Sequence, residues 1–275
     1  MTEKRPTDAK KRKQTHFIPT KRLKHYDVIG GNEQLLGRVE QIIVDMCSGR
    51  VAYYLVSTEG IARLHDRWLA MPPEILTWYP EKLRFTTPVL PTELADAPSI
   101  PKADWPDTVL AELENVDETM ARLDSICAYY SVTPYRVHPR RDELRPQAPA
   151  LADFLPVSHL RYYDVTNDAG EDLGQVQEFI LDMAADQIAY VVVSFGGILG
   201  FSDKWIAMPF GILTWQPETH KLKLDAPKSV LENAPGINKD DWPDKFLSDL
   251  ADEEEHAAWL EMVYACFSCP PYWVY

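Results

Sequence analysis

The chain matches itself at one fixed offset. Tyr26-Asp27-Val28 returns as Tyr163-Asp164-Val165, 137 residues later. At that spacing Leu36-Gly37-x-Val39 becomes Leu173-Gly174-x-Val176, Asp45-Met46 becomes Asp182-Met183, and Ala52-Tyr53 becomes Ala189-Tyr190. Trp68-x-Ala70-Met71-Pro72 aligns with Trp205-x-Ala207-Met208-Pro209, and Leu76-Thr77-Trp78 with Leu213-Thr214-Trp215. The same spacing holds at Ala97-Pro98-x-Ile100 with Ala234-Pro235-x-Ile237, and at Asp104-Trp105-Pro106 with Asp241-Trp242-Pro243. Even Pro134-Tyr135 has its counterpart in Pro271-Tyr272. Chance does not align so many Trp and Pro residues at one spacing. The unit is far longer than a solenoid repeat, so each copy is large enough to bury its own core.

Within each unit the first part reads as strands. Val51–Ser57 and Ile188–Ser194 are apolar runs rich in β-formers, without the alternation of a half-exposed strand, which suits strands covered on both faces. Ahead of them, Val39 and Ile42 break the period of two that Ile42, Val44 and Met46 keep; Val176 and Phe179 repeat the fault. One extra residue in both copies predicts a β-bulge. Turns are read at Gly31-Asn32, Ser48-Gly49, Asp168-Ala169-Gly170 and Ala185-Asp186, and further strands at Trp68–Met71 and Lys82–Phe85. Five or six short strands in this order predict a small barrel. A Pro-rich strap follows (88–106 and 227–243), then a helix with Leu110, Leu113, Met120, Leu123 and Ile126 on its inner face, or Leu247, Leu250, Trp259, Met262 and Val263 in the second copy. The expected fold is mainly β with accessory helices: two tandem small β-barrels, each followed by its strap and helix. The expected boundaries are a basic disordered arm (1–22), module 1 (23–135), a Pro-rich linker (136–157) and module 2 (158–275).

The net charge is −14, unevenly placed. Up to His25 there are nine Lys and Arg against Glu3 and Asp8, so this stretch is about +7 and the remainder near −21. Such a body repels nucleic acid and anionic membrane, whereas the arm, with Lys10, Lys11, Arg12 and Lys13, attracts either. No apolar run reaches the length of a membrane span, and no apolar stretch follows the N-terminal charges; a cytoplasmic location is expected. None of the 4 Cys aligns with another between copies, so no shared disulfide framework is expected.

Reactive groupings are sparse. Cys266-x-x-Cys269 supplies two of the four ligands a structural zinc site needs, and its counterparts are Tyr129 and Val132. Gly196-Gly197-Ile198-Leu199-Gly200 lacks the Lys and helix start of a phosphate loop and reads as a turn. Asp45 and Asp182 recur just before turns, where a carboxylate accepts backbone N–H bonds. The 7 His show no ligand spacing. Neither a catalytic group, a metal nor a cofactor is expected. The repeated Trp68/Trp205, Trp78/Trp215 and Trp105/Trp242 are assigned to the core. Trp259 and Trp273 have no Trp counterpart and are the candidate partner anchors.

These motifs resemble the PRC-barrel family, named for the cytoplasmic domain of the H subunit of photosynthetic reaction centres and including the C-terminal domain of a ribosome-maturation factor. The matching residues are Leu173-Gly174-x-Val176, Asp182, Ile188-Ala189-Tyr190 with Val191–Val193, Gly196-Gly197-x-Leu199-Gly200, and Trp205-x-Ala207-Met208-Pro209. The first copy has Glu59-Gly60-Ile61-Ala62-Arg63 in place of the Gly-rich loop. The resemblance implies a six-stranded barrel used for protein contact, with no catalytic residues to carry over. The expected function is a non-enzymatic protein-binding or scaffold role, with a protein partner or self-association, through Trp259, Trp273, Gly196, Gly197 and Arg63. The alternatives are an electrostatic tether to nucleic acid or anionic membrane through the arm, and a small-ligand or enzymatic site between the modules.

Overall fold

The computed structural model describes residues 16–58, 64, 66–135, 154–195, 204–224, 226, 228–243, 246–247 and 253–274. The first half runs β1 (Phe17–Pro19), α1 (Thr20–Leu23), β2 (Asp27–Ile29), β3 (Leu35–Asp45), β4 (Val51–Ser57), β5 (Arg67–Met71), β6 (Thr77–Tyr79), β7 (Arg84–Thr86), β8 (Ser99–Pro101), α2 (Asp107–Glu114) and α3 (Val116–Tyr130). The second half runs β9 (Phe154–Pro156), α4 (Val157–Leu160), β10 (Asp164–Thr166), β11 (Asp172–Asp182), β12 (Gln187–Phe195), β13 (Lys204–Met208), β14 (Leu213–Gln216), β15 (Lys221–Leu224), α5 (Lys228–Asn233), β16 (Gly236–Ile237) and α6 (Glu253–Cys266).

The protein is mainly β, with two eight-stranded sheets. Their orders correspond strand for strand: β6-β7-β2-β3-β4-β5-β8 and β14-β15-β10-β11-β12-β13-β16. Both are mixed, because β2 with β7 and β10 with β15 pair in parallel while the other pairs are antiparallel. The expected closed barrel is not formed by this pairing. Among the described residues each order is an open path, and its end strands are two to four residues long, too short to offer a continuous closing ladder. Curvature comes instead from the long strand. Register shifts fall between Val39 and Gln41 and between Ile43 and Val44, and at the equivalent Val176/Glu178 and Ile180/Leu181, where the sequence predicted a bulge. The Leu-Gly-x-Val motif has a steric cause at the same bend. A Cβ on Gly37 would lie 1.4 Å from the Ser57 carbonyl oxygen, and one on Gly174, at φ +139°, 1.9 Å from that of Ser194.

All seven residues of β4 are buried, as an unalternating run requires. Its neighbours explain why. Val51, Tyr54 and Val56 enter a central core that combines side chains of both halves, from Val28 and Phe85 to Val165 and Leu222. Ala52, Tyr53 and Leu55 face a second core under α2 and α3, and Ala189, Tyr190 and Val192 face a third under α6. The single helix expected after the first strap is two helices, broken at Asn115, whose side chain accepts the N–H groups of Asp117 and Glu118. Leu113, Leu123 and Ile126 are buried as expected, joined by Val109, which the spacing missed. In α6 the buried stripe is His256, Leu260, Val263 and Tyr264; Met262, expected inside, is 52% exposed.

The lead-in strands are exchanged. β1 pairs with β11 of the second half (Phe17 opposite Asp182), and β9 pairs with β3 of the first (Phe154 opposite Asp45). Both strands fall inside the stretches expected to be arm (1–22) and linker (136–157); the rest of those stretches lies largely outside the described residues.

Candidate functional site

The recurring polar residues hold shape. Asp45 accepts the Cys47 N–H (2.8 Å), the Ser48 hydroxyl (3.0 Å) and the Tyr135 hydroxyl (3.2 Å). Asp182 accepts the N–H groups of Ala184 and Ala185 and, at 2.6 Å, the Tyr272 hydroxyl. Each carboxylate therefore closes its turn and tethers the Pro-Tyr segment that follows the last helix of its half. The Trp pairs repeat as contacts too: Trp68 on Trp105, Trp205 on Trp242, and stacked Tyr26–Trp78 and Tyr163–Trp215. Of these only Trp215 is buried; the others are half-buried at the rim of the core, because they clamp the strap onto the sheet edge or cap its end.

The joint between the halves is polar at two places. At one, Val51 and Ile188 donate backbone N–H bonds to Asp186 and Gly49, Gln187 donates to the Ser48 carbonyl, and the Tyr54 hydroxyl donates to Asp186 at 3.2 Å. Burial, reinforced by the nearby Glu74 and Asp182 charges, pushes the Asp186 carboxyl up to about 7; the Tyr54 bond and Arg50 oppose the shift. At the other, the Thr20 hydroxyl of α1 donates to Glu178 of β11 at 2.7 Å. Burial raises the Glu178 carboxyl, against the Thr20 bond, the Arg161 charge and the N–H groups of Phe179 and Lys21. Its counterpart in the first half is the neutral Gln41, also buried.

Two clefts open along this joint. One, of about 490 Å³, has Leu113, Phe154, Leu155 and Trp215 on its walls, with Pro217, His220, Glu114 and Glu218 also lining it. The other, of about 300 Å³, lies between α1, α4 and β3, where Lys21, Lys24 and Arg161 surround apolar Val39, Ile42 and Val157.

The segment that carries β9 to α5, residues 152–231, matches the PRC-barrel domain. No curated protein matches the chain.

The matched stretch includes β9, the strand given to the other half. Of the sequence candidates, Gly196 and Gly197 sit within the domain's span but outside the described residues, as do Arg63 and the arm residues Lys10, Lys11, Arg12 and Lys13 elsewhere in the chain. Trp259 lies C-terminal to the domain match and is half-buried. It packs edge-on against Tyr190 (5.1 Å) and Phe246 (5.3 Å), which makes it a helix-to-sheet contact. Trp273 is 39% exposed and leans on Tyr264 and Tyr272, so it presents an apolar face. The structure does not bring these two Trp residues into contact with the clefts. Cys266 and Cys269 are not joined in a disulfide. Among the described residues no group of three His, Cys, Asp or Glu is placed to share a metal ion, and no helix is long and apolar enough to cross a membrane.

The clefts escaped sequence reasoning because their residues come from segments far apart in the chain. One signal was available for the second. Lys21-x-x-Lys24 and Ser158-x-x-Arg161 stand at the same 137-residue spacing as the rest, and both end in a cation.

Proposed function

We propose that the chain is a non-enzymatic protein-binding scaffold in which two PRC-barrel modules, the first half being the second copy, act as one body. The matching strand orders and the matching bulges support the pairing of modules. The observation that carries the function is the 490 Å³ cleft, where Leu113 of one half faces Trp215 of the other. Its apolar walls favour an aliphatic or aromatic anchor, and the exposed Glu114 and Glu218, on a chain of net charge −14, favour a flanking Lys or Arg. The partner is therefore a protein segment with an apolar anchor beside basic residues.

Peptides selected from a displayed library on the full chain test this. Enriched peptides carry that pattern and cross-link to a photoreactive group placed at Pro217. Because Glu114 and Glu218 are exposed, the double variant Glu114→Lys/Glu218→Lys keeps the fold and weakens those peptides about tenfold, roughly 1.4 kcal/mol. Selected peptides that cross-link elsewhere, or that bind the charge-reversed chain equally well, would count against the reading.

A further inference from the structure

We propose that the cleft between α1 and α4 binds a phosphomonoester. Its walls come from the same positions of two equivalent segments: Thr20, Lys21 and Lys24 from the first half, and Val157, Ser158 and Arg161 from the second, each 137 residues on. The remaining wall is β3 of the first half, Val39, Glu40, Gln41 and Ile42, and each of the two equivalent segments brings a cation to the last of its positions.

Charge selects the ligand. The chain has 42 Asp and Glu against 28 Lys and Arg, yet three cations and the single carboxylate of Glu40 line this cleft. Among the described residues neither Lys21 nor Lys24 lies within ion-pair distance of a carboxylate, so both charges are available. Arg161 is held in place: its Nε donates to the Gln177 carbonyl at 3.2 Å and its guanidinium lies over the Tyr162 ring. The lining is net +2, which complements the charge of about −1.5 to −2 on a phosphomonoester at neutral pH better than a lone carboxylate. The Ser158 hydroxyl can donate to a phosphate oxygen, while Thr20 is already engaged by Glu178. Val39, Ile42 and Val157 give the organic part of the ester an apolar wall, and about 300 Å³ sets it at the small end of ligand sites.

The test is calorimetric titration of the full chain with glycerol 3-phosphate and glucose 6-phosphate, at constant ionic strength, with citrate alongside. A saturable signal below about 10 mM is expected, with at least one ester bound more tightly than citrate. Lys21 and Lys24 are exposed, so Lys21→Ala/Lys24→Ala should keep the fold by circular dichroism and weaken the ester at least tenfold. Replacing Lys10, Lys11, Arg12 and Lys13 by Ala should change the affinity less than about twofold, because Lys21, Lys24 and Arg161 supply the charge that holds the ester. Flotation with phosphatidic acid and phosphatidylcholine vesicles separates the sources: binding to the former alone that is lost in the Lys21/Lys24 variant assigns the same chemistry to a lipid headgroup. The proposal is overturned if neither soluble ester nor vesicle binds, if citrate binds as tightly as the esters, or if affinity follows the arm and not Lys21 and Lys24.

Discussion

Asp186 occupies the turn between β11 and β12 and takes a hydrogen bond from Tyr54 of the other half. Its carboxyl titrates at about 7 in the folded chain and near 3.8 when unfolded. The folded state therefore holds this proton more tightly. Asp186 supports the joint fully below pH 4, loses that support as pH rises through 7, and above it leaves a buried charge. With Asn in its place, an amide oxygen still accepts from Tyr54 and nothing titrates. Chemical denaturation of Asp186→Asn and the parent at several pH values is expected to show the variant more stable by about 1–2 kcal/mol at pH 8, with the gap closing towards pH 5. A gap that does not depend on pH would show that this carboxyl does not titrate as inferred. The turn-closing role of Asp45 and Asp182 was legible from their position alone. The distinct environment of Asp186 was not, because it is set by Tyr54, 132 residues away in sequence.

Elements that cross between the halves separate what the sequence says from what the fold does. The bulges, the doubly covered β4 and the straps follow from local pattern, whereas the Trp residues expected in the core clamp those straps at its rim. The exchange of β1 and β9 does not, although Phe17-Ile18-Pro19 and Phe154-Leu155-Pro156 stand at the repeat spacing. A three-residue strand can add to either long strand, and β3 and β11 carry nearly the same pattern, so nothing in the letters chooses the partner. The choice has a measurable consequence. Removing residues 1–19 takes away the pairing with β11, buried Ile18, and the ring of Phe17 packed 4.1 Å from His256. Burial of Ile18 alone accounts for about 1.5–3 kcal/mol. Hydrogen exchange of the truncated chain should accelerate at least tenfold in β11 and β12, and far less in β3 and β4. Faster exchange confined to the half that lost the residues would show that the exchange does not operate.

At the scale of the molecule, the central core takes buried side chains from both halves, and each sheet borrows an eighth strand. Neither half can lose its packing without exposing the other, so heat is expected to melt the described core in one transition. In scanning calorimetry the measured enthalpy should match the van't Hoff value, and Val191→Ala, in β12, should lower that one transition without splitting it. Two resolved transitions would contradict a shared core. The repeated pattern does not reveal a shared core, since two barrel-length units of matched pattern read equally well as two independent beads. Polar pairs add to the shared core: Tyr54 with Asp186, and Thr20, which follows the exchanged β1, with Glu178.

That exchange also orders events at the ribosome. The strand Phe17–Pro19 emerges early, yet the segment it must join, ending at Asp182, is translated about 160 residues later. At roughly 5–20 residues per second the nascent N-terminal half waits about ten to thirty seconds with one edge of β3 uncovered at its end and a short apolar tail unclaimed. A cell making this chain must guard that interval, and slowing or pausing translation between the halves should lower the yield of folded protein more than the same pause placed after residue 200.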